Sequence, residues 1–318
     1  MAVYILFILG FIVLIAGAHF LIKGASSLGT MLGLSQLVIG TTIVALGTSL
    51  PELIINVFAS VEGETGLALG NVIGSNITNT LLIVGAAALI YPIKVKKIVE
   101  QRDIWINLLA VLFLILLVSD NIFGRSDNQI NVTDGIIMLG LFLYYVYIAF
   151  FRSGSNVKGS GENETQSLPW YFALFFIAGG MGGLFFGGQW IVDGVQQLSR
   201  DLGTAQSVLG LTLVAGATSL PELVTSVLAA LRKKTDIAIG NIIGSNILNI
   251  FLVLGVSAVI KPIDFDPALN IQLLILFLAS LFLILVIRTG KISRTVSRIE
   301  GAFLILLYIC FLYYSIYR

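Results

Sequence analysis

Long apolar runs alternate with short polar breaks along the whole chain. The runs fall at 2–22, 36–60, 66–91, 104–123 and 131–151, then at 169–197, 206–231, 237–261, 267–288 and 299–317. Each approaches the ~20 residues that a helix needs to cross the hydrocarbon core of a bilayer. The pattern predicts ten transmembrane helices in two groups of five. Between the groups, RSGSNVKGSGENETQ is rich in Gly, Ser and Asn and has no periodic apolar face. The expected organisation is a five-helix unit at 1–151, a linker at 152–168 and a second five-helix unit at 169–318.

Sliding the sequence by 170 positions aligns residues 31–94 with 201–264 without a gap, and 32 of the 64 pairs are identical. The conserved blocks lie in the regions 36–91 and 206–261. GTSLPE at 47–52 falls on ATSLPE at 217–222, and GNVIGSNI at 70–77 falls on GNIIGSNI at 240–247. Asn79 pairs with Asn249, and Pro92 with Pro262. A unit of five crossings reverses direction in its second copy, so the repeats are expected to be inverted.

Charge placement tests that expectation. When alternate loops are assigned to one side, 14 of the 18 Lys and Arg residues fall together and 4 fall opposite. By the positive-inside rule the linker is cytoplasmic and both termini are extracytoplasmic. Glu62-Gly63-Glu64 in the first copy becomes Arg232-Lys233-Lys234 in the second, as homologous turns on opposite sides should.

Composition sharpens the class. With 57% hydrophobic and 11% charged residues and a mean hydropathy of +1.00, the chain has more apolar surface than a soluble fold can cover. The spans leave no room for a soluble catalytic domain, and a net charge of +1 suggests no nucleic acid or acidic partner. The expected setting is the cell membrane, with lipid as the partner and a monomer as the unit. Cys310 stands alone in an apolar run, which excludes an internal disulfide framework and a cysteine-rich metal site; it reads as a small core residue. The run up to Phe20 lacks a basic leader and a cleavage pattern, and reads as a first span rather than a signal peptide.

Among the 17 acidic residues, Glu52 and Glu222 stand out as lying well inside apolar spans. A carboxylate at that depth costs a few kcal/mol, and such groups usually face a polar cavity. Pro51 and Pro221 break their helices and free carbonyls near Ala45, Thr48, Ala215 and Thr218. Irregular backbone at membrane depth is tolerated where it lines a cavity. Together with the hydroxyls of Thr48, Ser49, Thr218 and Ser219 this makes an all-oxygen ligand set suited to hard cations. In the second motif Gly70, Gly74, Gly240 and Gly244 read as packing residues. Ser75 and Asn79, like Ser245 and Asn249, share a helical face that can complete the cage. Asn71, Asn76, Asn241 and Asn246 read as interhelical hydrogen-bonding residues.

An in-plane pseudo-twofold axis brings the copies together near the midplane, so Glu52 is expected to face Glu222. A divalent cation neutralises such a pair in one step. Ca²⁺ accepts six to eight oxygens in flexible geometry, whereas Mg²⁺ demands a tight octahedron. The motifs carry no Cys or His, which argues against zinc or copper. His19, paired by the repeat with Gln189, reads as an interfacial hydrogen-bonding residue, and Lys23 and Asp193 read as an ion pair or as snorkelling side chains.

At these motifs the sequence resembles the sodium/calcium exchanger branch of the cation/calcium antiporter superfamily, in the prokaryotic-type, potassium-independent form. The resemblance covers the whole ten-span layout. It implies an all-α integral membrane protein of ten transmembrane helices in two inverted five-helix repeats, with helices 2, 3, 7 and 8 broken. The activity it implies is antiport of three Na⁺ inward for one Ca²⁺ outward by alternating access, with no cofactor. The implied ligands are Glu52, Glu222, Thr48, Thr218, Ser49, Ser219, Ser75 and Ser245, with Ala45 and Ala215 as sodium-binding carbonyls and Asn79 and Asn249 as a midplane polar pair. Two departures stand out. Ala217 replaces the usual Gly, and Asn249 stands where potassium-dependent relatives carry Asp. Proton-coupled calcium transport by the same glutamates is the nearest alternative, and a cation channel a more distant one. An enzyme is not expected, because no nucleophile–base pair, metal motif or nucleotide loop accompanies the carboxylates.

Overall fold

The computed structural model describes residues 2–119, 128–151, 168–201, 218–290 and 293–317. The described chain is almost entirely helical, the form that satisfies backbone polar groups within a single segment in lipid. In order, the helices are α1 (Ala2–Met31), α2 (Gln36–Thr48), α3 (Leu50–Glu62), α4 (Thr65–Ile90), α5 (Ile104–Leu117), α6 (Val132–Phe151), α7 (Trp170–Asp201), α8 (Leu220–Leu231), α9 (Thr235–Ile260), α10 (Asn270–Thr289) and α11 (Arg298–Tyr317). Among the described residues seven are long and apolar enough to cross a membrane, and α2 with α3, bent by 45° at Ser49, makes an eighth candidate span. The first half of span seven lies outside the described residues.

Two two-residue antiparallel ladders tie distant loops together. β1 (Ile93–Lys94) pairs with β4 (Thr295–Val296), and β2 (Gln129–Ile130) pairs with β3 (Ile263–Asp264). Ile93 and Ile263 are repeat equivalents, so each copy contributes the same strand to its own ladder.

α4 and α9, the helices of the second motif, are the most buried, with 72% and 83% of an apolar 18-residue stretch of each buried against 33% for α1 and for α7. Around them α5, α6, α10 and α11 build the larger apolar cluster. The smaller cluster joins α1 and α7 to parts of α2, α8 and α9. Glycines at seven-residue intervals bring α1 and α7 together backbone to backbone. A Cβ on Gly17 would stand 2.7 Å from the Leu184 amide nitrogen, and one on Gly180 would stand 2.5 Å from that of Leu21. Gly240 and Gly244 likewise seat α9 on α2, where a Cβ at Gly244 would meet the Thr41 carbonyl at 2.7 Å. A Cβ on Gly70, by contrast, would meet nothing within 4 Å, so the packing role expected of that glycine is not seen.

Two expectations are corrected. α4 and α9, helices 3 and 8 of the ten-helix plan, run on without a break and widen instead into π turns at Thr78–Ile83 and Asn249–Val253. Their motif contains no proline, so every amide can still donate, and a π turn absorbs the irregularity. Cys310 is exposed on α11, where the sequence suggested core.

Candidate cation site at the repeat interface

The first SLPE motif ends one helical segment and begins another at Ser49, and the second begins α8 after Ser219. Ser49 has φ −87° and ψ 7°, and Ser219 has φ −82° and ψ 1°. Pro51 and Pro221 then fall in the first turn of α3 and α8, where a missing amide hydrogen is harmless. Glu52 and Glu222 occupy the same first turns, where the positive end of the helix dipole favours a carboxylate. Both side chains are fully buried.

The two copies meet through these residues. Glu222 Oε1 accepts hydrogen bonds from Ser49 Oγ at 2.9 Å and Ser245 Oγ at 3.4 Å. Thr48 Oγ1 donates to Asn241 Oδ1 at 3.0 Å, and Thr218 Oγ1 donates to Asn71 Oδ1 at 3.4 Å. Thr48 also lies 3.4 Å from Ser245, as Thr218 does from Ser75. All but the Ser245–Glu222 bond join one repeat to the other, and the Thr48 contacts with Asn241 and Ser245 have repeat-related twins in those of Thr218 with Asn71 and Ser75, which is the signature of a twofold relation between the copies. Behind them, Asn241 donates to Ser226 Oγ at 3.0 Å and Asn71 to Asn56 Oδ1 at 2.8 Å, again at equivalent positions.

Several oxygens in this layer lack a donor. Both carboxylate oxygens of Glu52, Oε2 of Glu222 and the Ser219 hydroxyl have no hydrogen-bond partner among the described residues. Burying a carboxylate without a partner is costly, and buried charges are ordinarily paired or bound to metal. No group of three His, Cys, Asp or Glu is placed to hold a metal among the described residues. A cation in this layer would therefore take two carboxylates and fill its shell from hydroxyl, amide and carbonyl oxygens, a set that suits Ca²⁺.

The remaining expected residues divide. The Ala45 carbonyl is not free: it accepts the Ser49 amide at 3.0 Å and the Thr48 hydroxyl at 3.2 Å. Asn79 and Asn249 do not bond to each other. Asn249 donates to Asn76 Oδ1 at 3.4 Å, while neither polar atom of Asn79 has a partner among the described residues. Asn246 reaches across to Thr80 Oγ1 at 2.9 Å. Ala215 and Ala217 lie outside the described residues. Lys23 stands over the Phe176 ring at 5.0 Å, and no ion pair with Asp193 forms among the described residues.

Sequence reasoning missed a third buried carboxylate. Asp103 is fully buried and bound by both Arg102 Nε, at 2.8 Å, and Nη2, at 3.1 Å. It sits one residue before an apolar run with its counter-ion adjacent, and that dipeptide was the available signal. Asn56 and Ser226 were likewise legible as polar residues at equivalent positions.

Residues 2–151 and 172–317 match the family model for the sodium/calcium exchanger protein. The chain belongs to the sodium/calcium exchanger family. Sodium/calcium exchanger MaX1 of Methanosarcina acetivorans is 33% identical over 97% of each chain. The inner membrane protein YrbG of Escherichia coli is 35% identical over 82% of this chain and 81% of its own. The fold superposes on that of the sodium-calcium exchanger NCX_Mj with a TM-score of 0.83 at 32% identity, covering 98% of each chain. A multi-pass, all-helical sodium/calcium exchanger with two repeats is a cation/calcium antiporter, and the oxygen-lined layer between its repeats is the candidate place for the cation.

Proposed function

We propose that the protein exchanges Na⁺ for Ca²⁺ by alternating access, three Na⁺ entering for each Ca²⁺ leaving. The observation that carries this reading is the bond from Ser49 of one repeat to Glu222 of the other, beside a Glu52 carboxylate with no donor among the described residues. Ca²⁺ is held between Glu52 and Glu222, with Thr48, Thr218, Ser49, Ser219, Ser75 and Ser245 around it. One divalent ion balances both carboxylates, whereas monovalent ions must come in number to do the same, so the two cargoes compete for shared oxygens. Ala45 and Ala215 supply carbonyls to Na⁺, the former after releasing one of its two donors, and Asn79 and Asn249 form the polar floor. If each cycle moves one net charge, the membrane potential contributes ~2.3 kcal/mol per 100 mV.

The wider plan is part of the same proposal. Ten helices form two inverted repeats, 1–151 and 169–318, joined by a cytoplasmic linker at 152–168, with both termini extracytoplasmic. The strand ladders support this sidedness, since each joins two loops assigned to one side. So do the ion pairs of Lys96 with Asp236 and of Arg288 and Arg294 with Glu100, all between loops assigned to the cytoplasm.

The test is uptake of radioactive calcium into sodium-loaded proteoliposomes diluted into choline buffer at fixed pH. Uptake that requires internal Na⁺ and ignores potassium and a protonophore is expected. Uptake that ignores Na⁺ and follows a pH gradient would replace this reading with proton-coupled transport.

A further inference from the structure

At the end of the bundle where α7 begins, Leu168 donates its amide to Ser27 Oγ at 2.8 Å, which seats the start of α7 against α1. Cationic side chains gather around that junction. Lys23 lies on α1, and Arg232, Lys233 and Lys234 form the turn between α8 and α9. Arg232 gives one N–H to His19 Nδ1 on α1, and Lys234 Nζ donates to Ser26 Oγ at 3.4 Å. A guanidinium has five N–H donors in a planar fork, and the other four of Arg232 meet no acceptor among the described residues.

None of these four cations joins an acid within ion-pair distance among the described residues, whereas Lys96, Arg288 and Arg294 on the same side each do. Burial and the Arg232 guanidinium beside it pull the Lys234 ammonium below its usual range, and among the described residues no acid pairs with the turn. Lys233 is held at φ 58°, a left-handed conformation, while the equivalent Gly63 adopts φ 90° freely.

The surroundings name the class of ligand. Trp170, Tyr171, Phe172 and Phe175 are exposed on the first turns of α7, and the neighbouring Phe176 carries the Lys23 ammonium on its ring. Aromatic belts of this kind sit at headgroup depth, where an ammonium or guanidinium faces phosphates rather than bulk water.

We propose that Lys23, Arg232 and Lys234 form a site for the phosphodiester headgroup of an anionic phospholipid, bridging α1 to the turn between α8 and α9. The headgroup phosphate takes the free donors of Arg232 and the two ammonium groups, and its acyl chains lie along the exposed aromatic face of α7.

The full-length protein in neutral detergent is titrated with phosphatidylglycerol or phosphatidylcholine, and bound lipid is counted by native mass spectrometry. Phosphatidylglycerol is expected to bind preferentially. Lys23→Gln and Arg232→Gln should each weaken it about five-fold, the ~1 kcal/mol expected per basic side chain at a membrane surface. Arg232→Lys should keep most of the binding, which separates lost charge from lost folding. The exposed Lys97→Gln should change nothing. Equal weakening by Lys97→Gln would reduce the site to a diffuse surface field and overturn the proposal. Undiminished binding in Arg232→Gln would also overturn it, as would inorganic phosphate at millimolar concentration displacing the lipid, which would make this a soluble-anion site.

Discussion

Ser49 Oγ lies 2.9 Å from Glu222 Oε1, but its repeat equivalent, Ser219, makes no matching bond to Glu52: the Ser219 hydroxyl and both Glu52 oxygens are without hydrogen-bond partners among the described residues. The two halves of the layer are thus chemically equivalent and conformationally unequal. Such inequality is what inverted repeats need if one side of the site is closed while the other is open.

Because Ser49 donates to a buried carboxylate, Ser49→Ala should raise the calcium concentration for half-maximal uptake about 12- to 160-fold, matching the ~1.5–3 kcal/mol of a hydrogen bond to a charged group. Ser49→Thr keeps the donor and should stay near wild type. The concentration dependence of sodium-driven calcium uptake in proteoliposomes reads the difference; an unchanged value for Ser49→Ala would remove this bond from the binding site.

Glu52→Gln and Glu222→Gln each delete one negative charge while keeping the shape of the side chain. Sodium-dependent uptake should fall at least about 100-fold in each, matching the ~3 kcal/mol or more lost when one partner of a buried charge pair is removed. Melting temperatures measured alongside should not fall, since an amide is cheaper to bury than an uncompensated carboxylate. Normal exchange in either variant is incompatible with a shared carboxylate site.

The packing of α1 on α7 is tested within one helix. A Cβ at Gly180 meets the Leu21 amide nitrogen at 2.5 Å, whereas one at Gly182 has nothing within 4 Å. Gly180→Ala should destabilise the protein by ~1–3 kcal/mol, the usual cost of overpacking. Gly182→Ala should be neutral or slightly stabilising through its better helix propensity. Thermal unfolding in detergent compares the pair, and equal melting temperatures would mean that the two helices do not approach this closely.

Lys233→Gly relieves a left-handed backbone at φ 58°. The variant should gain up to ~1 kcal/mol in stability, less whatever the Lys233 ammonium contributes over the Tyr91 ring at 6.0 Å. A lower melting temperature would show that the ring contact outweighs the strain.

Much of this was legible before any coordinates. Apolar run length places helices because lipid leaves the backbone no other partner, and the 170-residue offset identifies equivalent residues because the two copies keep their motifs. Glu52 and Glu222 stood out because charge inside an apolar run is expensive. The break at Ser49 followed from Pro51. The continuity of α4 and α9 did not follow from their motif, since Gly, Ser and Asn weaken a helix without forbidding one, and the choice of a π turn over a kink depends on the helices packed alongside. Asp103 escaped notice because it lies at the edge of a run, where sequence cannot tell an interfacial carboxylate from a buried one.

The sequence by itself determined the class and the repeat, and it singled out the polar residues proposed as oxygen donors, since these depend on composition and spacing along one dimension. Only the tertiary structure decided which donors face each other. Ser49 reaches Glu222 rather than its own neighbour Glu52, and the Ala45 carbonyl is taken up within its own helix. Those choices rest on how closely glycine-lined helices approach, which is a property of surfaces meeting in space and is not written in the order of residues.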